Sequence, residues 1–574
     1  MARFNKGGIP QVGPQSVVTS TTERVLTHEG ARGYARDAKS ELFLLAASFM
    51  GGDDNFYEKS SDRYERLIAL VNEVELVADP DWAYNFVMWL RKEANMRTVA
   101  MVVAVEYVRA RLARDETDAF SVKVGSSTTY VEHTNRDIVS VALQRADEPA
   151  EMFAYWLHKY GKMIPQPVKN GVSDAAIRLY NEFSYLKYGK SRSSAVTMMD
   201  VLRLTHAVPK DEKQNALFNV IVGKSDVEGY EPGTLPMIHA RTVLYNLPTD
   251  VRRVVDPITF KQAGMTWENL SEWLPGGMDA EAWELAIPNM GIMALIRNLR
   301  NFDEAGISKL SAMLVEQQIR DPEIVRRSRQ LPFRWYQAYR ATDSLRYGMA
   351  LEEALDYSLV NIPTMRGKTL VLVDMSGSMG TRVSDRSVVT YADAASLFGT
   401  ALKLANPHGV DLYQFGSDYN HLVGRYINRQ GREFGSDGKA WNGVTKEIDL
   451  RTGGSILRGM SKFHDMGGTE IHKAVAETMS DKYDRVILLT DEQGWSAPNY
   501  DDLPIPAGKS LYVWNLAGYQ AGISRSGRYQ RHTFGGLSDS AFKLIPILEA
   551  GRNSGWPWEI REENGQAQQE GTVQ

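Results

Sequence analysis

The sequence predicts a multi-domain protein in which an α-helical repeat part is followed by an open, doubly wound α/β domain. The chain has 574 residues, which is enough for about three to five domains. Apolar residues recur at helical spacing up to about residue 350, and few segments there are typical of strands. Beyond residues 355–368 the pattern changes to short apolar strands that alternate with helices, as in a parallel sheet.

The helical pattern is clear near the start of the chain. Trp82, Phe86, Trp89 and Leu90 fall on one helical face, and charged residues follow them. Similar segments recur with short polar breaks, so we expect a superhelix of helix pairs, although the sequence contains no strict repeat. The Ser-, Thr- and Val-rich residues 120–131 are predicted to form a β excursion.

The second part alternates strands with helices. The predicted strands are 369–373, 410–415, 485–490 and 510–516. Helices are predicted at about 387–405 and 538–550, and the first strand is apolar throughout, as in a strand buried on both faces. Residues 416–468 are too long for a simple connection, so we interpret them as an insertion with some structure of its own.

The composition excludes several classes of protein. With 43% hydrophobic and 24% charged residues, the chain is neither wholly disordered nor a transmembrane bundle. The absence of cysteine excludes disulfides, zinc ribbons, iron–sulfur clusters and thiol catalysis. A net charge of -5 excludes a chain that is basic throughout. We expect a cytoplasmic protein, because the first residues lack a signal-peptide core and no stretch is apolar enough to span a membrane.

Oxygen-bearing side chains follow two of the predicted strands. Asp374, Ser376 and Ser378 come directly after the first strand, Thr469 precedes a predicted helix, and Asp491 ends the strand at 485–490. Ligands of open parallel sheets bind at the carboxyl ends of the strands. Two carboxylates and three hydroxyls favour Mg²⁺ or Mn²⁺ over zinc or copper. The alternatives are that these residues only cap helices and loops, or that the site stays empty in the cell.

Five donors leave the sixth position of an octahedral divalent ion open, so that position can accept a carboxylate or phosphate oxygen from a partner. A metal-dependent phosphoesterase is disfavoured, because the sequence places no second carboxylate cluster or histidine base beside the site. The segments VDMSGSMG, GGTEIHKA and LLTDEQGW resemble the metal-ion-dependent adhesion site of von Willebrand factor A domains. That resemblance implies binding of a partner through the ion rather than catalysis.

Four segments of the helical part resemble the TROVE module: 89–108, 187–209, 285–302 and 331–342. A TROVE module followed directly by an A domain is the order found in the Ro autoantigen family and its bacterial relatives. The resemblance divides the chain into an N-terminal arm (1–25), a helical ring (26–358), an A-like domain with the insertion (359–558) and a disordered tail (559–574).

The resemblance implies a ring of HEAT-like helix pairs that the A domain closes. The central hole is then expected to bind single-stranded 3′ ends of misfolded RNA, and the outer surface to bind Y RNA. Such an RNA can restrict access to the hole or tether an exoribonuclease of the polynucleotide phosphorylase type. The protein itself is expected to be a monomer or part of an RNA-scaffolded assembly, with no membrane partner.

The charge distribution is consistent with local RNA contacts. Residues 159–206 contain eight basic and three acidic residues, a net charge of +5, and residues 320–346 have a net charge of +4. The resemblance assigns RNA contacts to five residues: Lys187, Lys190, Arg192, Arg203 and His206. Tyr185, Tyr188 and His206 are candidates for stacking on an unpaired base. Each of these charges has a structural alternative as a solvated face or an ion pair within the helices.

The leading hypothesis is a noncatalytic RNA-binding protein of Ro type that acts in RNA quality control and decay. The alternative is a metal-dependent protein-docking scaffold, in which the A-like domain binds an acidic partner, as in chelatase-like complexes, and the helical arm binds peptide. The two hypotheses differ in the expected effect of salt, because binding to phosphates weakens steeply as salt rises.

Overall fold

The protein is described by a computed structural model. It describes residues 17–28, 30–49, 58–73, 78–114, 121–124, 127–130, 132–189, 195–328, 330–359, 362–384, 387–417, 443–450, 455–494, 502–527, 530–537, 542, 544–549 and 556–559.

Helices dominate the chain up to residue 358, as the spacing of apolar residues predicts. The first series is α1 (Ala38–Ser48), α2 (Ser60–Val71), α3 (Pro80–Lys92), α4 (Arg97–Leu112), α5 (Asn135–Ala142), α6 (Glu148–Tyr160), α7 (Gln166–Leu179), α8 (Glu182–Tyr188), α9 (Met198–Thr205) and α10 (Glu212–Val222). The second series is α11 (Pro236–Tyr245), α12 (Pro257–Gln262), α13 (Trp267–Trp273), α14 (Ala280–Ala286), α15 (Ile292–Ala305), α16 (Lys309–Arg320), α17 (Pro322–Ser328), α18 (Pro332–Ala341) and α19 (Leu345–Ser358). The predicted apolar face of α3 is buried.

Two small hairpins accompany the helices. Strands β3 (Ser121–Val124) and β4 (Ser127–Tyr130) pair antiparallel and confirm the predicted β excursion. Strands β1 (Ser20–Leu26) and β2 (Arg32–Arg36) also pair antiparallel, so the segment predicted as an N-terminal arm contains a strand. This strand was missed because apolar and polar residues do not alternate in its sequence STTERVL, and none of its residues is buried.

The second part is a sheet of six strands in the order β10–β9–β8–β5–β6–β7. The strands are β5 (Thr369–Asp374), β6 (Val410–Phe415), β7 (Thr445–Glu447), β8 (Arg485–Thr490), β9 (Ser510–Asn515) and β10 (Arg531–Gly535). The first five in that order are parallel neighbours, and only β7 joins antiparallel. The helices of this domain are α20 (Tyr391–Ala405), α21 (Ile456–Met460), α22 (Ile471–Thr478) and α23 (Leu544–Glu549). The predicted open α/β domain is confirmed.

Sequence patterns placed some of these elements only approximately. Helix α20 begins at Tyr391 rather than near residue 387, because Thr390 and Asp393 form a capping box there. Within the predicted insertion, β7 and α21 are described, whereas residues 418–442 and 451–454 lie outside the described residues. Strand β10 was not predicted, since its sequence RHTFG carries two polar residues and an arginine although all five residues are buried.

Both ends of the helical part contact the sheet domain. Helix α1 packs against β10, whereas α18 and α19 pack against α20 and α21. The C-terminal Trp556 and Trp558 return to the first helices, where Trp556 lies 5.4 Å from Phe43 and from Trp82, measured between ring centroids. Residues beyond 358 therefore contact both the first and the last helices of the helical part. None of the described helices is long and apolar enough to cross a membrane.

Candidate functional site

Two of the predicted metal ligands, Asp374 and Asp491, lie where the strand order of the parallel sheet reverses. Strand β5 lies between β6 and β8, so the strands that follow it in the chain lie on both sides of it. Ligands of open parallel sheets bind at such a point. Asp374 is the last residue of β5, and Asp491 directly follows β8. The two strands pair in register up to Val373 and Leu489, which places both carboxylates at the same edge.

Hydrogen bonds join the loops that carry the remaining ligands. The backbone N–H of Ser376 donates to Asp374 Oδ1 at 3.0 Å, and the hydroxyl oxygens of Ser376 and Ser378 are 3.3 Å apart. The Gly377 N–H donates to the Gly467 carbonyl at 2.6 Å, so the loop after β5 is tied to the loop that contains Thr469. Gly467 has φ +80°, a left-handed conformation that glycine adopts without strain.

All five predicted ligands are buried, and none exposes more than 6% of its surface. Burial raises the pKa of the Asp374 carboxyl, against hydrogen bonds from Thr490 and Ser376 that lower it. Burial also raises the pKa of Asp491, and the charge of Asp374 raises it further. The main causes of these two pKa shifts are burial, hydrogen bonds from neighbouring residues and, for Asp491, the negative charges of Asp374 and Glu492.

This donor set fits a hard divalent cation. Two buried carboxylates close to each other are unfavourable unless a positive charge lies between them. The surrounding donors are hydroxyl oxygens, which suit Mg²⁺ or Mn²⁺ and do not suit a soft metal. The oxygen donors at this edge of the sheet therefore fit such an ion, and metal binding there stays a prediction.

The N-terminal hairpin holds the loop that follows Asp491. Arg36 at the end of β2 forms a fully buried ion pair with Glu492, which also accepts from Asn515 Nδ2 at 2.7 Å. The Thr27 hydroxyl donates to the Gly494 carbonyl at 3.0 Å, and the His28 N–H donates to Gln493 Oε1 at 2.9 Å. Sequence reasoning missed this support, since 456 positions separate Arg36 from Glu492.

Three of the five predicted RNA contacts are exposed. Lys187 lies on α8, Arg203 lies on α9, and His206 caps the C-terminus of α9 with φ +52°. Arg203 donates to the Val222 carbonyl at 3.1 Å, which leaves the rest of its guanidinium at the surface. Lys190 and Arg192 lie outside the described residues.

Other charges of the same basic segment have structural partners. Lys159 forms an ion pair with the fully buried Glu106 at 2.8 Å, and Glu106 also accepts from the hydroxyls of Tyr155 and Tyr160. Arg178 donates to the carbonyls at the end of α5, including that of Ser140 at 3.0 Å. These side chains stabilise helix packing.

Two predicted stacking residues are also engaged in packing. Tyr185 and Tyr188 pack against the core of the first helices, and burial raises the pKa of the Tyr185 hydroxyl. The exposed aromatic side chain of α8 is instead Phe183, which sequence reasoning did not select. The sequence feature that could have identified Phe183 is its position one helical turn before Lys187, which puts both side chains on one helical face.

The second basic cluster pairs mostly with acidic residues. Arg326 and Arg327 contact Glu323, whereas Arg320 and Arg346 contact Glu316. Such exposed pairs contribute little to stability, but they offset the positive charge that the sequence indicated.

Comparison with protein families independently supports the resemblance of the helical part to the TROVE module. The TROVE domain family model matches residues 260–359. This range contains two of the four segments that carry the resemblance, 285–302 and 331–342, and the other two lie outside it. No curated protein matches the sequence.

The whole chain also has a structural counterpart. It is similar to the crystal structure of the Deinococcus radiodurans Ro (RSR) protein, with a TM-score of 0.54 and 15% sequence identity. The similarity covers 90% of this chain and 100% of that chain. The protein thus carries a TROVE domain match within the fold of a Ro protein, as its sequence motifs predict.

Proposed function

We propose that this protein is a noncatalytic, cytoplasmic RNA-binding protein of Ro type. It binds Y-like small noncoding RNA and the single-stranded 3′ ends of misfolded structured RNA, and it acts in RNA quality control and decay. Two findings together carry the proposal: the TROVE family model matches residues 260–359, and the fold is similar to that of a Ro protein over 90% of the chain. An exoribonuclease of the polynucleotide phosphorylase type is the proposed partner, tethered through RNA.

The exposed groups of α8 and α9 supply the chemistry for RNA. Lys187 and Arg203 are cations that can contact phosphates, and the exposed ring of His206 can stack on a base. Phosphate contacts position an RNA without reading its sequence. Recognition of an unpaired end beside a duplex then depends on shape, which suits RNAs that share a folding defect rather than a sequence.

We also propose that Mg²⁺ or Mn²⁺ binds at the edge of the sheet. Asp374, Ser376, Ser378, Thr469 and Asp491 would hold it, and the bound ion supplies a positive charge that a carboxylate or phosphate oxygen of a partner can meet. The loop contacts described above orient these oxygens before the ion arrives. The buried carboxylate pair is also the observation that favours the alternative function, a metal-dependent protein-docking scaffold.

Salt dependence tests the RNA proposal. The substrate is a structured RNA with a single-stranded 3′ extension, and the comparison is the same duplex with a blunt end. If about six phosphates are contacted, affinity should fall about a thousandfold between 50 and 200 mM salt. The extended RNA should bind more tightly than the blunt one at every salt concentration.

Charge reversals identify the surface. The double variant Lys187→Glu/Arg203→Glu should lose most of the RNA affinity, whereas the matched double variant Arg326→Glu/Arg327→Glu should keep it. Equal losses in both would show that only net charge matters. Absence of RNA binding by the unchanged protein, together with Mg²⁺-dependent capture of an acidic protein, would favour the docking scaffold.

A further inference from the structure

A cavity lies beside α8, outside the metal centre. Its volume is about 130 Å³. Phe183 and Lys187 of α8 line one side of it, and residues of α12 to α15, including Trp267 and Met290, line the remainder. The cavity therefore opens between the predicted RNA-binding segment and the part of the chain that matches the TROVE family.

Helix α8 presents two different groups to this cavity. Phe183 and Lys187 are four residues apart and so lie on one helical face. Phe183 exposes 42% of its surface, although it is a large apolar side chain. Lys187 is exposed and lines both this cavity and a neighbouring one. Its ammonium group lies 5.2 Å from the ring centroid of Tyr188, which lines the neighbouring cavity.

The interior of the cavity is apolar and its rim is polar. Phe260, Leu270 and Met290 contribute apolar surface. Glu268 and Asn289 also line it, and Asn289 donates its amide N–H to the Pro257 carbonyl at 2.8 Å. That bond uses the amide nitrogen of Asn289 and leaves its side-chain oxygen as an acceptor, and Glu268 adds a carboxylate to the lining. Acceptors on the rim suit a flat aromatic ligand that carries N–H groups.

The volume sets the size of the ligand. About 130 Å³ holds roughly four water molecules at ~30 Å³ each and is close to the ~150 Å³ of a cavity that binds benzene. This volume corresponds to one planar ring system and excludes a base pair. An exposed aromatic side chain next to a cation is the usual arrangement for an unpaired nucleotide, since the ring stacks on the base and the cation contacts its phosphate.

We propose that this cavity receives one unpaired nucleobase of the bound RNA. The base stacks on Phe183, its amino or imino N–H groups face Glu268 and Asn289, and Lys187 holds the adjoining phosphate. This inference rests on the proposed RNA binding and names the site of one nucleotide within it.

The test combines a protein variant with an altered RNA. In the structured RNA with a 3′ extension, each extension position in turn is made abasic, and affinities are measured for the unchanged protein, Phe183→Ala and Phe183→Trp. Phe183→Ala should weaken binding of the intact RNA about five- to a hundredfold, and Phe183→Trp should retain it. The matched control is Leu310→Ala, which removes another exposed apolar side chain, 70% exposed on α16, and should have no effect.

The decisive result is non-additivity at one position. At that position, the abasic RNA should bind the unchanged protein more weakly by the same factor as the intact RNA binds Phe183→Ala. Combining the abasic RNA with Phe183→Ala should then cause no further loss of affinity. The salt dependence should be unchanged by Phe183→Ala and reduced by about one phosphate by Lys187→Met. If the unchanged protein binds RNA but Phe183→Ala binds it equally well, or if the losses add at every position, the cavity proposal is wrong while the RNA function stands. If the unchanged protein binds no RNA, both are wrong.

Discussion

The carboxyl edge of the sheet and the basic segment 159–206 were both singled out from the sequence, and the structure treats them differently. At the sheet edge, all five predicted ligands are buried within connected loops. Along the basic segment, Lys159 and Arg178 are used in helix packing, whereas Lys187 and Arg203 remain exposed. Strand ends therefore specify a position in space, while a run of charges does not specify which charges face a ligand.

The same comparison separates two kinds of sensitivity. The sheet edge depends on buried charges whose partners are fixed, so changes there should affect stability and metal binding. The exposed segment depends on charges in water, so changes there should affect RNA affinity and its response to salt while stability stays constant. The predictions below test this separation.

Removal of one partner of the buried pair beside Asp491 should have the largest effect. Arg36→Met leaves Glu492 buried and uncompensated, and the free energy of unfolding should fall by about 3–5 kcal/mol in urea titrations. Arg32→Met, an exposed arginine four residues earlier, is the matched control and should change stability by less than about 0.5 kcal/mol. A loss below about 1 kcal/mol for Arg36→Met would contradict the role of this pair.

Acid should destabilise the sheet through His532 of β10. Burial, with a further contribution from Arg531, lowers the pKa of this imidazole to about 4. The unfolded chain takes up the proton near pH 6.5 and the folded protein does not until about pH 4, so stability is complete above pH 6.5 and declines as pH falls toward 4. The decline should reach about 3 kcal/mol. In His532→Gln this component should disappear, and identical pH profiles for both proteins would contradict the assignment.

Metal binding should depend on the sheet edge alone. Asp374→Asn removes one negative charge and leaves one side-chain oxygen where Asp374 uses two, for the Thr490 hydroxyl and the Ser376 N–H, so Mn²⁺ affinity measured by calorimetry should fall by at least about a hundredfold. Asp411→Asn, in the neighbouring strand β6, is the control and should bind Mn²⁺ normally. Equal Mn²⁺ affinity in all three proteins would show that the ion binds elsewhere.

The smallest effects should distinguish two lysines of the basic segment. Lys159→Met leaves Glu106 without its cation and should lower the free energy of unfolding by about 1–3 kcal/mol. Lys187→Met should leave stability unchanged within about 0.5 kcal/mol but weaken RNA binding and reduce its salt dependence by about one phosphate. The reverse pattern would mean that packing and binding residues were assigned wrongly.

The sequence predicted those features that depend on local pattern. The helices, the parallel strands and the convergence of Asp374 with Asp491 follow from apolar periodicity and from the rule that strand ends share an edge. The hairpin of β1 and β2, the pair of Arg36 with Glu492 and the exposure of Phe183 depend on contacts between distant segments. No spacing within the sequence encodes such contacts, so they became visible only in the folded chain.

The last aromatic residues of the chain complete the core of its first helices. Trp558 packs among Trp82, Phe86 and Trp89, although roughly 470 residues of chain are synthesised between them. At about 5–20 residues per second, translation takes roughly 20–90 seconds to cover that stretch. During this time the aromatic face of α1 and α3 lacks the cover that Trp558 provides, so the core of the first helices cannot be completed while they are being synthesised.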